Sequence, residues 1–196
     1  MADNTETKYE APTWNQIYDM LLRQSQKIKT DIFKPDIIIG IARGGTVPSR
    51  ILSDLLEVKD FAFIQIEYYE GFNQTRHEPI LKQCLTTHLG GKKTLLVDDI
   101  SDSGISLQFA KNHLQQQGAK VIKIATLYAK TTTITKPDYY ENLTSSWIVF
   151  PWDAKENVRK IVEKQRGKRA LRREVTKLVK AGLPKQLAEK FLEDMQ

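Results

Sequence analysis

The stretch TLLVDDISDSGISL, from Thr94 to Leu107, joins a short apolar run to a turn that is rich in acids and small residues. Leu95, Leu96 and Val97 are typical of a buried strand. Three aspartates follow within five residues, and a Ser-Gly-Ile-Ser sequence comes directly after them. A strand that leaves a core and ends in this much negative charge indicates a ligand site at its end.

Apolar runs and helical patterns alternate on both sides of this stretch. Thr13 and Gln16 form a capping box, and apolar residues at helical spacing predict a helix from about Trp14 to Lys29. Pro48 suits the first turn of a second helix, and Gly118 suits the end of a third. Strands are predicted in the segments KPDIIIG (34–40), DFAFIQIEYYE (60–70), KVIKIATLYAK (120–130) and SSWIVFPWD (145–153).

This order of strands and helices predicts an α/β fold. The connections between strands look too long for hairpins, so we expect a mostly parallel central sheet flanked by helices on both faces. The segment GFNQTRHEPILKQ (71–83) has no periodicity, which is typical of a long mobile loop. Ligands bind such sheets beyond the carboxyl ends of the strands. Three polar clusters are expected there, namely GIARGGT (40–46), DDISDSG (98–104) and Lys130.

The composition excludes several classes of protein. No run approaches the roughly eighteen apolar residues of a membrane span, and the N-terminal sequence MADNTETKYEAPT is unlike a secretory signal. We therefore expect a cytoplasmic protein with no membrane partner. The single cysteine, Cys84, excludes an internal disulfide and a cysteine-rich zinc site, and we interpret it as a passive thiol rather than a nucleophile.

The positive charge is concentrated at the C-terminal end of the chain. The net charge is +6, but residues 154–196 hold 13 Lys or Arg against 6 Asp or Glu, whereas residues 1–153 hold 17 against 18. Two amphipathic stripes, broken by Gly182 and Pro184, predict a helical segment. We therefore expect a main domain over 1–153 and a basic helical extension over 154–196. The extension either packs on the core or on another subunit, or binds nucleic acid through its basic faces.

The turn after the acids has the properties of a phosphate site. It offers backbone N–H groups at a helix start, and its small side chains and hydroxyls let an anion approach. The preceding acids favour vicinal hydroxyls or a divalent cation, and a ribose 5-phosphate supplies both a phosphate and hydroxyls. The alternative is a solvated turn in which Asp102 or Ser103 caps the helix, which leaves the Asp98–Asp99 pair unexplained. In GIARGGT, Arg43 with Gly44 and Gly45 suits a diphosphate, although a Gly-Gly pair is also common in simple turns.

The sequence LLVDDISDSG resembles the 5-phosphoribosyl 1-pyrophosphate (PRPP) motif of the type I phosphoribosyltransferases, with Ser103 where that family usually has threonine. The resemblance covers about Trp14 to Asp153. GIARGG is similar to the family's pyrophosphate loop, and the stretch from Gly71 to Lys82 to its flexible hood loop. The resemblance implies a Rossmann-like sheet with a hood loop, and Mg²⁺ as the cofactor.

The resemblance also implies roles for individual residues of the PRPP site. Asp98 and Asp99 would bind the ribose 2- and 3-hydroxyls, directly or through Mg²⁺. In the family the peptide bond before the Arg43 position is often cis, which here is the bond from Ala42 to Arg43. The 5-phosphate would be held by Ser103, Gly104, Ile105 and Ser106, and the pyrophosphate by Ala42, Arg43 and Gly44.

Further residues are similar to those of the 6-oxopurine branch of the family. An acid at Asp102 would face N7 of the base and exchange its proton, and Lys130 would donate to O6. SSWIVFPWD resembles a purine-binding segment, in which Trp147 would stack on the base and the Ile148 backbone would meet its Watson–Crick edge. Asp153 would approach the metal or pyrophosphate. The alternatives are a core tryptophan at Trp147 and a solvated strand end at Lys130.

The resemblance therefore implies a purine salvage enzyme. It would transfer the phosphoribosyl group of PRPP to N9 of xanthine, hypoxanthine or guanine, and we expect a homodimer or higher homo-oligomer. The hood loop would close over the substrate and exclude water, with Tyr68, Tyr69 or Arg76 as its contact residues. The competing hypothesis is a regulator that senses PRPP and binds nucleic acid through the basic extension. A base pocket formed by Asp102, Lys130 and Trp147 favours the enzyme.

Overall fold

A computed structural model describes residues 7–69, 78–164 and 168–195 of the chain. The chain divides into two compact units, one formed by Tyr18–Thr144 and the other by Met1–Ile17 together with Ser145–Gln196. These units differ from the expected division at 153/154, because the N-terminal residues and residues 145–153 group with the C-terminal helices. Helix α1, Trp14–Thr30, begins in one unit and continues in the other.

The unit Tyr18–Thr144 contains a six-stranded sheet whose strand order is β4-β3-β2-β5-β6-β7. All neighbouring pairs are parallel except β3 and β4, which are antiparallel. The mostly parallel α/β fold is therefore confirmed. The strands are β2 Ile37–Ala42, β3 Phe61–Tyr69, β4 Glu78–Gln83, β5 Lys93–Ser101, β6 Val121–Lys130 and β7 Tyr139–Thr144.

Local sequence signals account for the helices that flank this sheet. The predicted capping box closes the start of α1, since Gln16 N donates to Thr13 Oγ1 over 3.3 Å and Thr13 N donates to Gln16 Oε1 over 2.8 Å. Helix α2, Thr46–Leu55, and helix α3, Ile105–Gln116, follow β2 and β5 directly. The chain leaves α3 at Gly118, whose φ of +88° is readily adopted only by glycine.

Two strands of the six-stranded sheet were not predicted from the sequence. Residues 78–83 form β4, so the expectation of a loop through this segment, and of no hairpin-like antiparallel pair, was wrong. As an edge strand, β4 tolerates Pro79 and presents mainly exposed side chains, and this hides the strand pattern. Strand β7 lies at the other edge, and its sequence YYENLT lacks the apolar run of an interior strand.

The interior strands form the core of this unit because parallel strands with both faces covered carry continuous apolar runs. Ile37 to Ile39 of β2 and Leu95 to Val97 of β5 are fully buried, as predicted. One cluster joins the sheet to α3, with the buried residues Ile37, Ile39, Ile41, Ile64, Leu89, Leu96, Leu107, Ala110, Leu114 and Ile124.

The second unit is a helical cluster with a short pair of strands. Strand β1, Tyr9–Glu10, pairs in parallel with β8, Trp147–Ile148. Helices α4 Ala154–Lys164, α5 Lys168–Lys180 and α6 Lys185–Glu193 confirm the predicted helical extension. Its core contains Ala11, Val149, Ala154, Val158, Ile161, Leu178, Leu183 and Ala188. Among the residues that the structure describes, no helix is long and apolar enough to cross a membrane.

Candidate active site

The sheet topology brings three predicted clusters of the unit Tyr18–Thr144 to one edge. Strand β5 lies between β2 and β6, with Gly40 opposite Val97 and Asp98 opposite Thr126. Because the three strands are parallel, their carboxyl ends meet at the same edge. The segments that follow them are Ala42–Gly44 after β2, Asp102–Ser106 after β5, and Lys130 at the end of β6.

The glycines of the first cluster pack directly against the acids of the second. A Cβ atom on Gly44 would overlap the Asp99 carboxylate, and one on Gly45 would lie 2.8 Å from the carbonyl oxygen of Ile41 and 2.9 Å from the Asp98 Cα. Both positions therefore require glycine for space. The Ala42–Arg43 peptide bond is cis, as the family resemblance implied, and the Arg43 side chain is exposed.

The Asp98–Asp99 pair carries unfavourable negative charge. Asp99 is only 8% exposed. Burial, and next the charge of Asp99, raise the pKa of Asp98 well above its ordinary value, although the backbone N–H groups of Asp99 and Gly45 oppose the shift. The Asp99 N–H group donates to Asp98 Oδ1 over 3.0 Å. Hydroxyl donors or a cation would relieve this repulsion.

The donor atoms of the Asp98–Asp99 pair fit Mg²⁺. Mg²⁺ keeps several waters and usually takes one or two carboxylates together with substrate phosphates, rather than an all-protein cage. Among residues 7–69, 78–164 and 168–195, no group of three or more His, Cys, Asp or Glu could hold a metal by itself. Two adjacent carboxylates with a raised pKa at Asp98 match a cation that is bound jointly with a phosphorylated substrate.

The turn from β5 into α3 has an unusual backbone at Gly104. Its φ is +84°, and an added Cβ would lie 2.5 Å from both Thr133 Oγ1 and the Thr135 amide nitrogen. Helix α3 begins here, because Gln108 N donates to the Gly104 carbonyl over 3.0 Å. The N–H groups at the start of this 12-residue helix favour an anion. Asp102 and Ser103 are exposed beside them.

Residues 131–135 support this turn from behind, which the sequence had not indicated. Ile134 N donates to the Ser103 carbonyl over 3.0 Å, and Thr133 N donates to the Lys130 carbonyl over 3.2 Å. The hydroxyl groups of Ser101 and Thr133 lie 2.7 Å apart. The segment thus ties the turn to the end of β6, where Lys130 lies. The only signal for it was the threonine-rich run TTTIT after Lys130.

The other predicted purine-binding residues belong to the second unit. Trp147 is 38% exposed and is therefore not a core tryptophan, whereas Ile148 is buried. The Trp147 indole Nε1 donates to Asn157 Oδ1 over 2.7 Å. Burial raises the pKa of Asp153 to about 6, and its Oδ1 atom has no hydrogen-bond partner in the described part of the chain. The predicted strand 145–153 is reduced to Trp147–Ile148, paired with β1.

The hood-loop residues are only partly covered. Arg76 and the remainder of 70–77 lie outside the described residues, as do the side chains of Tyr68 and Tyr69. The rest of the expected loop is the strand β4.

A comparison with protein families identifies the family of this chain. The model of the phosphoribosyl transferase domain matches residues 13–159. The chain belongs to this family. The resemblance to the type I phosphoribosyltransferases is thereby confirmed, and the match includes all the candidate residues named above.

The relatives of this phosphoribosyltransferase are purine enzymes by name. Xanthine-guanine phosphoribosyltransferase of Gluconobacter oxydans is 30% identical over 149 residues, covering 74% of this chain and 84% of that protein. Hypoxanthine-guanine phosphoribosyltransferase of Schizosaccharomyces pombe is 29% identical, covering 74% and 88%. The crystal structure of a purine phosphoribosyltransferase from Pyrococcus horikoshii superposes with a TM-score of 0.68 at 35% identity, covering 74% and 94%.

Proposed function

We propose that this phosphoribosyltransferase acts in purine salvage. It transfers the 5-phosphoribosyl group of PRPP to N9 of xanthine, hypoxanthine or guanine, and releases pyrophosphate. The observation that carries the proposal is the Asp98–Asp99 pair, packed against Gly44 on one side and followed by the Gly104 turn at the start of α3. The names of the relatives support a 6-oxopurine as the acceptor. We place the reaction in the cytoplasm and expect a homo-oligomer.

The donor site combines two kinds of recognition. The amides and hydroxyls of Ser103–Ser106 bind the 5-phosphate, since a helix start with small side chains accepts an anion closely. Asp98 and Asp99 accept the ribose 2- and 3-hydroxyls or hold Mg²⁺ together with PRPP. When bound, Mg²⁺ would neutralise phosphate charge. The exposed Arg43 guanidinium and the Gly44 backbone bind the pyrophosphate group.

The acceptor is bound and activated by other residues at the same sheet edge. Loss of pyrophosphate leaves positive charge on the ribose C1 and its ring oxygen, and the purine nitrogen then attacks C1. The exposed Asp102 carboxylate exchanges a proton with N7 of the purine, which makes the base a better nucleophile. Lys130 donates to O6, an acceptor that adenine lacks.

In the second unit, three residues are proposed to recognise the base and the donor. Trp147 supplies a face for stacking, and its partial exposure supports this role. The Ile148 backbone meets the Watson–Crick edge of the purine. Asp153, half-buried with an unpartnered oxygen, approaches the metal or the pyrophosphate.

The proposal is tested by supplying the protein with PRPP, Mg²⁺ and, in turn, xanthine, hypoxanthine, guanine or adenine. We expect nucleotide from at least one 6-oxopurine and much less from adenine. Equal or preferential use of adenine would contradict the acceptor assignment. The variant Lys130→Met serves as a matched control, because it removes the O6 donor and should reduce the preference over adenine.

The regulator hypothesis receives no support from the relatives reported above, which are transferases by name. A role of the basic extension in binding nucleic acid remains a prediction from charge alone.

A further inference from the structure

Trp147 combines an exposed ring with a fixed indole nitrogen. The side chain is 38% exposed, yet its Nε1–H group donates to Asn157 Oδ1 over 2.7 Å. Strand β8 consists of two residues and, among the residues that the structure describes, pairs with β1 alone, so the backbone by itself leaves the side-chain torsions of Trp147 open. The hydrogen bond to Asn157 selects one orientation of the ring.

Asn157 is placed to act on two predicted site residues at once. It lies in α4 and is 6% exposed, an unusual burial for an asparagine side chain. Its Nδ2 atom lies 3.3 Å from the carbonyl oxygen of Asp153, and a further side-chain hydrogen bond between Asn157 and Asp153 favours the ionised carboxylate. One buried amide therefore links Trp147 to Asp153 within a single unit.

The bonding capacity of the amide fits this double role. A side-chain carbonyl accepts and a side-chain NH₂ group donates, so asparagine can hold an indole N–H and a carboxylate or carbonyl at the same time. Leucine of similar size can hold neither. Aspartate can accept from the indole but cannot donate to Asp153.

We propose that Asn157 is a positioning residue for purine binding, whose Oδ1 atom orients the Trp147 ring for stacking. The inference rests on the proposed function, in which Trp147 stacks on the base. It assigns a role to α4, which belongs to the expected basic extension. Purine affinity then depends more strongly than PRPP affinity on the hydrogen bond between Asn157 and Trp147.

The test compares steady-state kinetics of Asn157→Leu with those of the unmodified protein. We expect the KM for the preferred purine to rise by roughly 5- to 20-fold, as for one lost hydrogen bond and a less ordered stacking face. The KM for PRPP and kcat should change less than the KM for the purine, because Asn157 bonds the Trp147 ring directly and contacts the main-chain carbonyl of Asp153. If Asn157→Leu does not fold, Asn157→Ala replaces it with the same expectation. An unchanged KM for the purine overturns the proposal.

Two controls separate positioning from a general loss of stability. Val158→Ala removes packing from the adjacent, fully buried position of α4, and we expect a lower melting temperature with an unchanged KM for the purine. Asn157→Asp keeps the acceptor for the indole and should retain a KM closer to that of the unmodified protein than to that of Asn157→Leu. If Val158→Ala or Asn157→Asp raises the KM as much as Asn157→Leu, the proposal is wrong.

A double-mutant cycle with Trp147→Phe isolates the contact itself. Phenylalanine can still stack but has no N–H group for Asn157. Adding Asn157→Leu to Trp147→Phe should therefore raise the KM for the purine further by less than about 2-fold. An equal effect in both backgrounds contradicts the proposal. Failure of the proposed function gives a different result, because the unmodified protein then forms no nucleotide at all.

Discussion

Replacing Gly104 with alanine perturbs the turn that is proposed to bind the 5-phosphate. The residue has a φ of +84°, and a left-handed backbone costs an L-amino acid roughly 1–2 kcal/mol. The added Cβ would also lie 2.5 Å from Thr133 Oγ1 and from the Thr135 amide nitrogen, and 3.0 Å from Thr135 Cβ. Overpacking of this kind typically costs about 1–3 kcal/mol, so the native turn is disfavoured by about 2–5 kcal/mol in total.

The protein can avoid this cost only by moving the turn away from residues 133–135. The amides at the start of α3 would then no longer meet the phosphate. If binding PRPP requires the native turn, its free-energy cost of about 2 kcal/mol or more weakens the affinity for PRPP at least about 30-fold. The affinity is measured by calorimetry with PRPP and Mg²⁺, and the free energy of unfolding by urea denaturation. PRPP affinity within 2-fold of that of the unmodified protein would show that the backbone at Gly104 does not shape the phosphate site.

Gly91→Ala provides the matched control. Gly91 has a φ of +79°, close to that of Gly104, but a Cβ atom there would meet nothing within 4 Å. We expect this variant to lose roughly 1–2 kcal/mol of stability and to bind PRPP normally. A comparable loss of PRPP affinity in both variants would show that the effect arises from general destabilisation.

Three further predictions concern the acids and the glycine loop. Gly44→Ala displaces the Asp99 carboxylate and should weaken PRPP binding measured by calorimetry. Ala62→Gly, a change of similar size on the neighbouring strand β3, should leave PRPP binding unchanged. Equal affinities for PRPP in the two variants would count against a role of the contact between Gly44 and Asp99. Asp102→Asn should lower kcat for a 6-oxopurine by roughly 10²-fold with little effect on PRPP affinity, and full turnover at saturating purine would exclude Asp102 as the base. The pKa of Asp153 is raised in the folded protein to about 6, so ionised Asp153 destabilises the fold above that pH. This destabilisation disappears as the pH falls from about 6 toward the ordinary pKa of an aspartate. Asp153→Asn should therefore raise the urea midpoint at pH 8 and change it less at pH 5, and a gain confined to pH 5 would contradict the assignment.

The sequence predicted the interior of the sheet well because burial and periodicity coincide there. Ile37–Ile39 and Leu95–Val97 are continuous apolar runs, and they form the two central strands. The edge strands β4 and β7 escaped prediction for the opposite reason. Their side chains are largely exposed or polar, so the pairing depends on neighbouring strands rather than on a local pattern.

The candidate site was predictable to the extent that its chemistry is local. The acid pair and the Ser103–Ser106 turn lie within one short segment, and the structure adds the close contact with Gly44. By contrast, Thr133 and Asn157 act through hydrogen bonds to residues far away or on another element. Threonine and asparagine are common on surfaces, so nothing in the sequence distinguishes these two before the fold is known.

The pairing of β1 with β8 was also beyond local patterns. Tyr9 and Trp147 are aligned although they lie 138 positions apart in the sequence, and each strand has only two residues. The Tyr9 hydroxyl donates to Glu174 of α5 over 2.8 Å, which ties β1 to the helical extension. Such long-range contacts explain why residues 145–153 group with the extension, whereas charge alone had suggested a division at 153/154.

Product analysis shows whether the protein transfers the phosphoribosyl group of PRPP to a purine. The protein is incubated with Mg²⁺, PRPP and each 6-oxopurine in turn, and nucleotide and pyrophosphate are quantified together with the loss of PRPP. We expect one nucleotide and one pyrophosphate for each PRPP consumed, and loss of both products in the double variant Asp98→Ala with Asp99→Ala. Consumption of PRPP without nucleotide would contradict the proposed transfer to a purine. Unchanged product formation by the double variant would contradict the proposed role of the acid pair.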